Sequence, residues 1–167
     1  MRRRVVRVVL CLFALWAVLA ASGVASAATT PPRKELLRAI NHVRAVHGIH
    51  KLLAASALRF AALRHSTDMV TRNYFAHTSP TGSTITNRIV RSGFVNGHWW
   101  RGAETLAWGV GARASAEATV AAWLASPVHR AIMLSGGFRW VGIGRDCGRF
   151  AGHPGACVWT ADFVVRG

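Results

Sequence analysis

Apolar residues recur at three-to-four spacing just after residue 30: Leu36, Leu37, Ile40, Val43 and Val46, with Gly48 beyond them as a stop. The spacing predicts a first helix, with Thr30 as N-cap and Pro31 at the first helical position, where a missing N–H does no harm. Ser56 stands where it would cap a second helix, in which Leu58, Ala62, His65 and Met69 share a face. A third, shorter helix is expected from Thr84 to Ser92, closed by Gly93. Ser115 caps a fourth, with Glu117 in its first turn, Val120, Ala121, Trp123 and Leu124 apolar, and Pro127 at its end. The period then changes. Trp140 to Gly144 and Val158 to Val165 read as strands, an antiparallel pair joined through a cysteine-bearing loop, and Gly97 to Val110 as strand and loop. No internal repeat or low-complexity linker interrupts the pattern. It is that of an α+β domain with helices packed on a small antiparallel sheet.

The first 27 residues stand apart from this pattern. Arg2, Arg3, Arg4 and Arg7 precede a nearly unbroken apolar run from Val8 to Ala21, and Ala25-Ser26-Ala27 supplies small residues at the A-x-A positions. This is the layout of a secretory signal peptide, removed after Ala27. An uncleaved anchor is the alternative, since Val5 to Ala28 is long enough to span a bilayer; the A-x-A site favours cleavage. About 140 residues then remain as a single domain, residues 28–167. A chain of that length buries close to 70% of its unfolded surface, enough for a core without a cofactor.

Charge narrows the partners only partly. Without the leader, 17 basic residues face six acidic ones, a balance of +11. Such a surface favours anionic partners such as an envelope polymer or lipid heads, and a protein partner is equally compatible. Arginine outnumbers lysine 19 to 2 alongside heavy Ala, Val and Gly usage, which reads as coding bias rather than a shaped binding face. The basic residues are scattered without aromatic interleaving, so sequence-specific nucleic-acid binding is not expected. Cys147 and Cys157 are the two cysteines outside the leader, and an even pair in an exported chain reads as a disulfide. They flank Gly148 to Ala156, and closing so short a loop stabilises by about 2.5–3 kcal/mol on the chain-entropy model.

Three separated polar signals carry the candidate chemistry: His77-Thr78-Ser79-Pro80, Ala103-Glu104-Thr105, and Trp123-Leu124-Ala125-Ser126-Pro127-Val128-His129-Arg130. Ile40-Asn41-His42-Val43-Arg44-Ala45 followed by Gly48 resembles an "N-x-x-R-A-x-x-G" opening helix. Phe75-Ala76-His77-Thr78-Ser79-Pro80 with Gly82 matches an "fsHxSPxG" signature, Glu104 falls where "GEN" carries its Glu, and Trp123 to Arg130 resembles "WxxSPGHR". With these motifs in order across roughly Leu36 to Phe163, the chain resembles a bacterial member of the CAP superfamily (cysteine-rich secretory protein, antigen 5 and pathogenesis-related-1). The resemblance implies an α-β-α sandwich and a cleft lined by His77, Glu104 and His129. Ser126 stands where many eukaryotic members carry a second Glu. Ala103, Thr105 and Val128 also depart from the motifs.

Two imidazoles and a carboxylate are a ligand set for zinc, and the resemblance implies that some relatives bind divalent cations there. No H-E-x-x-H spacing places two ligands on one helical face, so the spacing alone does not bring the three side chains together; a divalent cation such as zinc in the cleft is one reading, with no cofactor required. The alternative is that Glu104 bridges the histidines by hydrogen bonds, as a buried carboxylate needs. Ser79 with His77 and Glu104 contains hydrolase residue types, but Pro80 follows directly and there is no G-x-S-x-G elbow, so Ser79 is read as satisfying a turn. His65 is read as a core histidine, Arg130 as a neighbour of the cleft carboxylate or of solvent, and Trp99 and Trp100 as core rather than an exposed lip. The expected function is a secreted, non-enzymatic module that binds an envelope or extracellular partner through the cleft or the basic surface. A metal-dependent hydrolase is the rival, and lipid or sterol binding follows from the resemblance alone.

Overall fold

The fold is built on one strand that is buried on both faces. In a computed structural model that describes residues 30–167, β4 (His153–Arg166) lies between β3 (Trp140–Phe150) and β2 (Trp100–Val110), antiparallel to both. A two-residue strand, β1 (Leu53–Ala54), adds to the outer edge of β3 in parallel, so the sheet order is β1-β3-β4-β2. Helices α1 (Pro32–Val46), α4 (Ala116–Ala125) and α5 (Pro127–Met133) cover one face. Helices α2 (Ser56–Arg72) and α3 (Ile85–Arg91) cover the other, giving an α-β-α sandwich.

The face toward α1 and α4 is apolar. Trp159, Ala161 and Phe163 of β4 and Val141 and Ile143 of β3 meet Leu36, Ile40, Val120 and Trp123, all buried. The face toward α2 is shaped by close approach. A Cβ added at Gly142 would sit 2.2 Å from the backbone of Leu58, and one at Gly144 would sit 2.3 Å from that of Ala62. These two glycines let α2 lie against β3 with no side chain between them, which brings the far half of the helix over β4 and β2.

Several local readings shift. The N-cap of α1 is Pro31 with Pro32 first in the helix, one residue later than Thr30 and Pro31 suggested. Ser56 is the first residue of α2 and caps nothing, Ala55 holding the cap position. Ser115 caps α4 as expected, accepting from the N–H of Ala118, and Thr84, read as the first residue of the third helix, is instead the N-cap of α3, accepting from the N–H of Asn87. Pro127 ends α4 as expected but also opens α5, because proline suits the first helical turn. The segment between the cysteines is not a loose loop. The ladder runs through it to a two-residue turn, Ala151-Gly152, with both residues at positive φ (48° and 82°), a geometry that matches the twist of the flanking strands. Cys147 and Cys157 are direct cross-strand partners and form a disulfide, with Cα atoms 4.0 Å apart. The signal-peptide reading falls on residues outside those described. Among the described residues no helix is long and apolar enough to cross a membrane.

Candidate functional site

Glu104 points from β2 toward α2, and its side chain is 1% exposed. Its two oxygens are both engaged. Oε1 accepts from Nδ1 of His77 at 2.7 Å, and Oε2 accepts from the Arg88 guanidinium at 2.7 Å. His77 comes from the loop that follows α2, and Arg88 from α3. Arg88 also donates to the carbonyls of His77 and Ser83, both at 2.8 Å, so one guanidinium ties the loop to the carboxylate beneath it. His65 of α2 lies behind this group, its Nε2 donating to Ala76 O at 3.1 Å and standing 3.9 Å from Glu104 Oε2. Glu104 is thus enclosed by three cationic or imidazole groups from three elements.

Directly across the ladder from Glu104 is Asp162, on the same face of the sheet and fully buried. Neither of its oxygens finds a donor among the described residues. Burial, reinforced by the neighbouring Glu104 charge, holds its pKa well above the ordinary carboxyl range. In its protonated form Asp162 becomes a donor itself, and Glu104 is the carboxylate beside it. Glu104 shifts the other way: burial pushes it up, but the His77 hydrogen bond and the Arg88 charge outweigh that and leave it below the usual range. Two carboxyls facing each other across the ladder are therefore shifted in opposite directions, Glu104 down and Asp162 up.

The three histidines also differ. The Glu104 hydrogen bond raises the pKa of His77. Burial lowers that of His65, with Glu104 only partly offsetting it. His129, half-buried near the start of α5, is lowered by burial and then by the charge of His77, which places the two rings within electrostatic reach. The cleft mouth thus presents one imidazole biased toward the cation, His77, and one biased toward neutrality, His129.

The structure joins His77 to Glu104, while His129 of α5 makes no hydrogen bond to either among the described residues. Ser126, the residue between α4 and α5, is half-buried and makes no capping bond through its side chain to α5. Ser79 is buried in the turn, its Oγ accepting from Ser83 N at 3.1 Å and lying 3.0 Å from Thr81 Oγ1, which is the turn role expected of it. His65 is a satisfied core histidine as read, and in addition a neighbour of the carboxylate. The arginine that holds Glu104 is Arg88; Arg130 is exposed. Trp99 is 67% exposed, contrary to its core reading, and Trp100 packs half-buried against the cluster of Leu58 and Ile89. Two site residues had gone unnoticed although each left a trace. Arg88 falls on the apolar stripe of α3 with Ile85 and Ile89, and Asp162 interrupts a strand that is otherwise apolar or hydroxylic.

The residues do not fit a three-ligand metal site. Both Glu104 oxygens are taken, one by a guanidinium whose charge opposes a divalent cation, and among the described residues no three His, Cys, Asp or Glu groups are arranged to hold a metal. The arrangement is instead a carboxylate that fixes the tautomer and orientation of His77, leaving its Nε2 outward.

Residues 37–163 match the model of the cysteine-rich secretory protein family, CAP. The chain belongs to that family. A Bacillus subtilis CAP relative, the uncharacterised membrane protein YlbC, is 30% identical over 117 residues, 70% of this chain and 32% of its own length. An extracellular SCP-domain protein of Bacillus anthracis superposes with a TM-score of 0.66 at 26% identity, over 80% of this chain and 40% of that one. An outer surface protein of Borrelia burgdorferi shares the fold, with a TM-score of 0.67 at 19% identity, over 83% of this chain and 97% of that one. This CAP chain therefore spans only about a third to two fifths of the two Bacillus proteins.

Proposed function

We propose that this CAP domain is a secreted or cell-surface binding module without catalytic activity, which engages an envelope or extracellular partner through the mouth of the His77, Glu104 and His129 cleft. The observation that carries the reading is the double engagement of Glu104. A general base needs an accessible oxygen and a pKa near the working pH, whereas this carboxylate is buried, accepts a hydrogen bond at each oxygen and is held below the usual range. Ser79 is equally committed, to its own turn. The groups available there are the half-exposed imidazoles of His77 and His129, one biased toward the cation and one toward neutrality, so the pair can both donate to and accept from a partner group. The relatives, named as extracellular, outer surface and membrane proteins, support an envelope setting. Signal cleavage after Ala27 belongs to the same reading, and the intact mass of the exported protein tests it. Zinc, if it enters, meets only the two imidazoles, and no cofactor is required.

The activity test is direct. Purified protein assayed for peptidase and esterase turnover, with and without zinc, should show none above a metal-free control. A reproducible hydrolysis abolished by both Glu104→Gln and His77→Ala, with the fold intact, would overturn the proposal.

A further inference from the structure

A second groove opens on the other side of Arg88. It encloses about 650 Å³ between the outer stripe of α2, the turn at residues 79–83 and α3. Arg64, Thr67, Asp68 and Thr71 line it from α2 at i, i+3, i+4 and i+7 spacing, which places them on one helical face. Arg88 and Arg91 line it from α3, and Thr81 from the turn. Asp68 is the one acid in the lining, and it is already matched: Arg72 sits 2.8 Å away and Tyr74 donates to it at 2.6 Å. Arg88 is matched by Glu104, although its Nε is buried without a partner among the described residues. Arg64 and Arg91 are exposed and form no ion pair among the described residues. The groove therefore offers two uncompensated guanidinium groups on facing elements, with the exposed hydroxyls of Thr67, Thr71 and Thr81 between them.

That donor set excludes a cation and exceeds what one carboxylate can accept. Two guanidinium forks and adjacent hydroxyls suit the three or four oxygens of a phosphate group. The volume falls in the range of about 300–1,000 Å³ that holds a small organic ligand, so there is space for the phosphate and what it is attached to. We propose that this groove binds a phosphate-bearing ligand, with Arg64 and Arg91 clamping the phosphate and the threonine hydroxyls donating to its remaining oxygens. The site stands independently of the cleft reading.

The protein carries its own control. A groove of about 620 Å³ along α1 and the start of β1 is also cationic, lined by Lys34, Arg38, His42 and Lys51. Its one amide, Asn41, is bound in both directions to the Leu52 backbone, so this groove offers charge without free hydroxyl donors. Titration of the isotope-labelled secreted protein with inorganic phosphate, at ionic strength held constant with chloride, reads both grooves at once through backbone amide shifts. Saturable shifts are expected at Thr67, Thr71, Thr81 and Arg91. The double substitution Arg64→Gln with Arg91→Gln should weaken binding about tenfold or more, and Arg38→Gln with Lys51→Gln less than about twofold. Both remove two exposed charges and leave the core untouched, which far-ultraviolet dichroism verifies. Equal losses from the two doubles, or no saturable shift in the groove, would overturn the proposal. Vesicles of phosphatidylcholine with and without phosphatidylglycerol separate the sources. Co-sedimentation lost only in the Arg64/Arg91 variant assigns a lipid phosphate, and phosphate binding without co-sedimentation assigns a soluble or polymeric one.

Discussion

The two faces of β4 are equally buried and chemically opposite. Toward α1 and α4 it presents Trp159, Ala161 and Phe163, which pack with aliphatic and aromatic partners and whose one polar atom, the Trp159 indole N–H, donates to Ala114 O at 3.1 Å. Toward α2 and α3 it presents Thr160 and Asp162 between Val158 and Val164, alongside Glu104 of β2 and His65 and Ser66 of α2. Thr160 is satisfied by the Ser66 hydroxyl at 2.9 Å, whereas Asp162 finds no donor. An apolar layer would be the more stable choice for a buried sheet face, because buried charges recover their desolvation only when well paired. The first face holds the domain together. The second uses that rigidity to keep Glu104, Asp162, His65 and His77 in fixed relation.

The comparison breaks most visibly at Phe163. Its replacement by Ala leaves a cavity under α4 and should destabilise by about 3–5 kcal/mol in chemical denaturation. A loss under about 1 kcal/mol would mean that the apolar face is not the main source of stability.

Glu104→Gln probes the polar face. It should lower stability by about 1.5–3 kcal/mol, chiefly through the buried Arg88 pair, since the His77 contact is screened by solvent. It should also lower the His77 pKa, because the Glu104 hydrogen bond is what holds it up. In the unsubstituted protein, that bond contributes stability fully present below the free imidazole value of about 6.5 and lost as pH rises through the raised folded value. A ring titration of His77 by NMR that does not move in the variant would contradict this account.

Asp162→Asn should have the smallest effect. It exchanges a carboxyl whose pKa is held well above the ordinary range for an amide of similar shape, and stability at neutral pH should change by less than about 1 kcal/mol. Its signature lies in the pH profile. The folded state of the unsubstituted protein holds the Asp162 proton more tightly than the unfolded chain, so this group makes stability fall as pH rises from the free value of 3.8 toward the folded one. Denaturation measured across that window should lose this slope in the variant. A large loss of stability at neutral pH would mean instead that Asp162 is ionised there.

Much of this architecture is legible in the chain as written. The helices at Leu36, Leu58 and Val120 announce themselves by period, the cap at Ser115 by residue type, and the cysteine pair by its parity. The ordered motifs around His77, Glu104 and His129 name the family and three of the site residues. The two-residue strand β1 was not legible, because so short a run carries no periodicity, and the full length of β3 and β4 was hidden by glycines that resemble a loop.

What the sequence by itself determined is four of the helices, the core of the sheet, the family and the polar residues available. Only the tertiary structure decided which groups meet. Arg88 is 16 residues from Glu104, and Asp162 lies on another strand, so their pairing depends on register and on how closely Gly142 and Gly144 admit α2. The protonation states follow from that placement. A carboxylate's pKa is set by what surrounds it after folding: the His77 hydrogen bond and the Arg88 charge hold Glu104 below the usual range against its burial, while burial and the Glu104 charge hold Asp162 well above it.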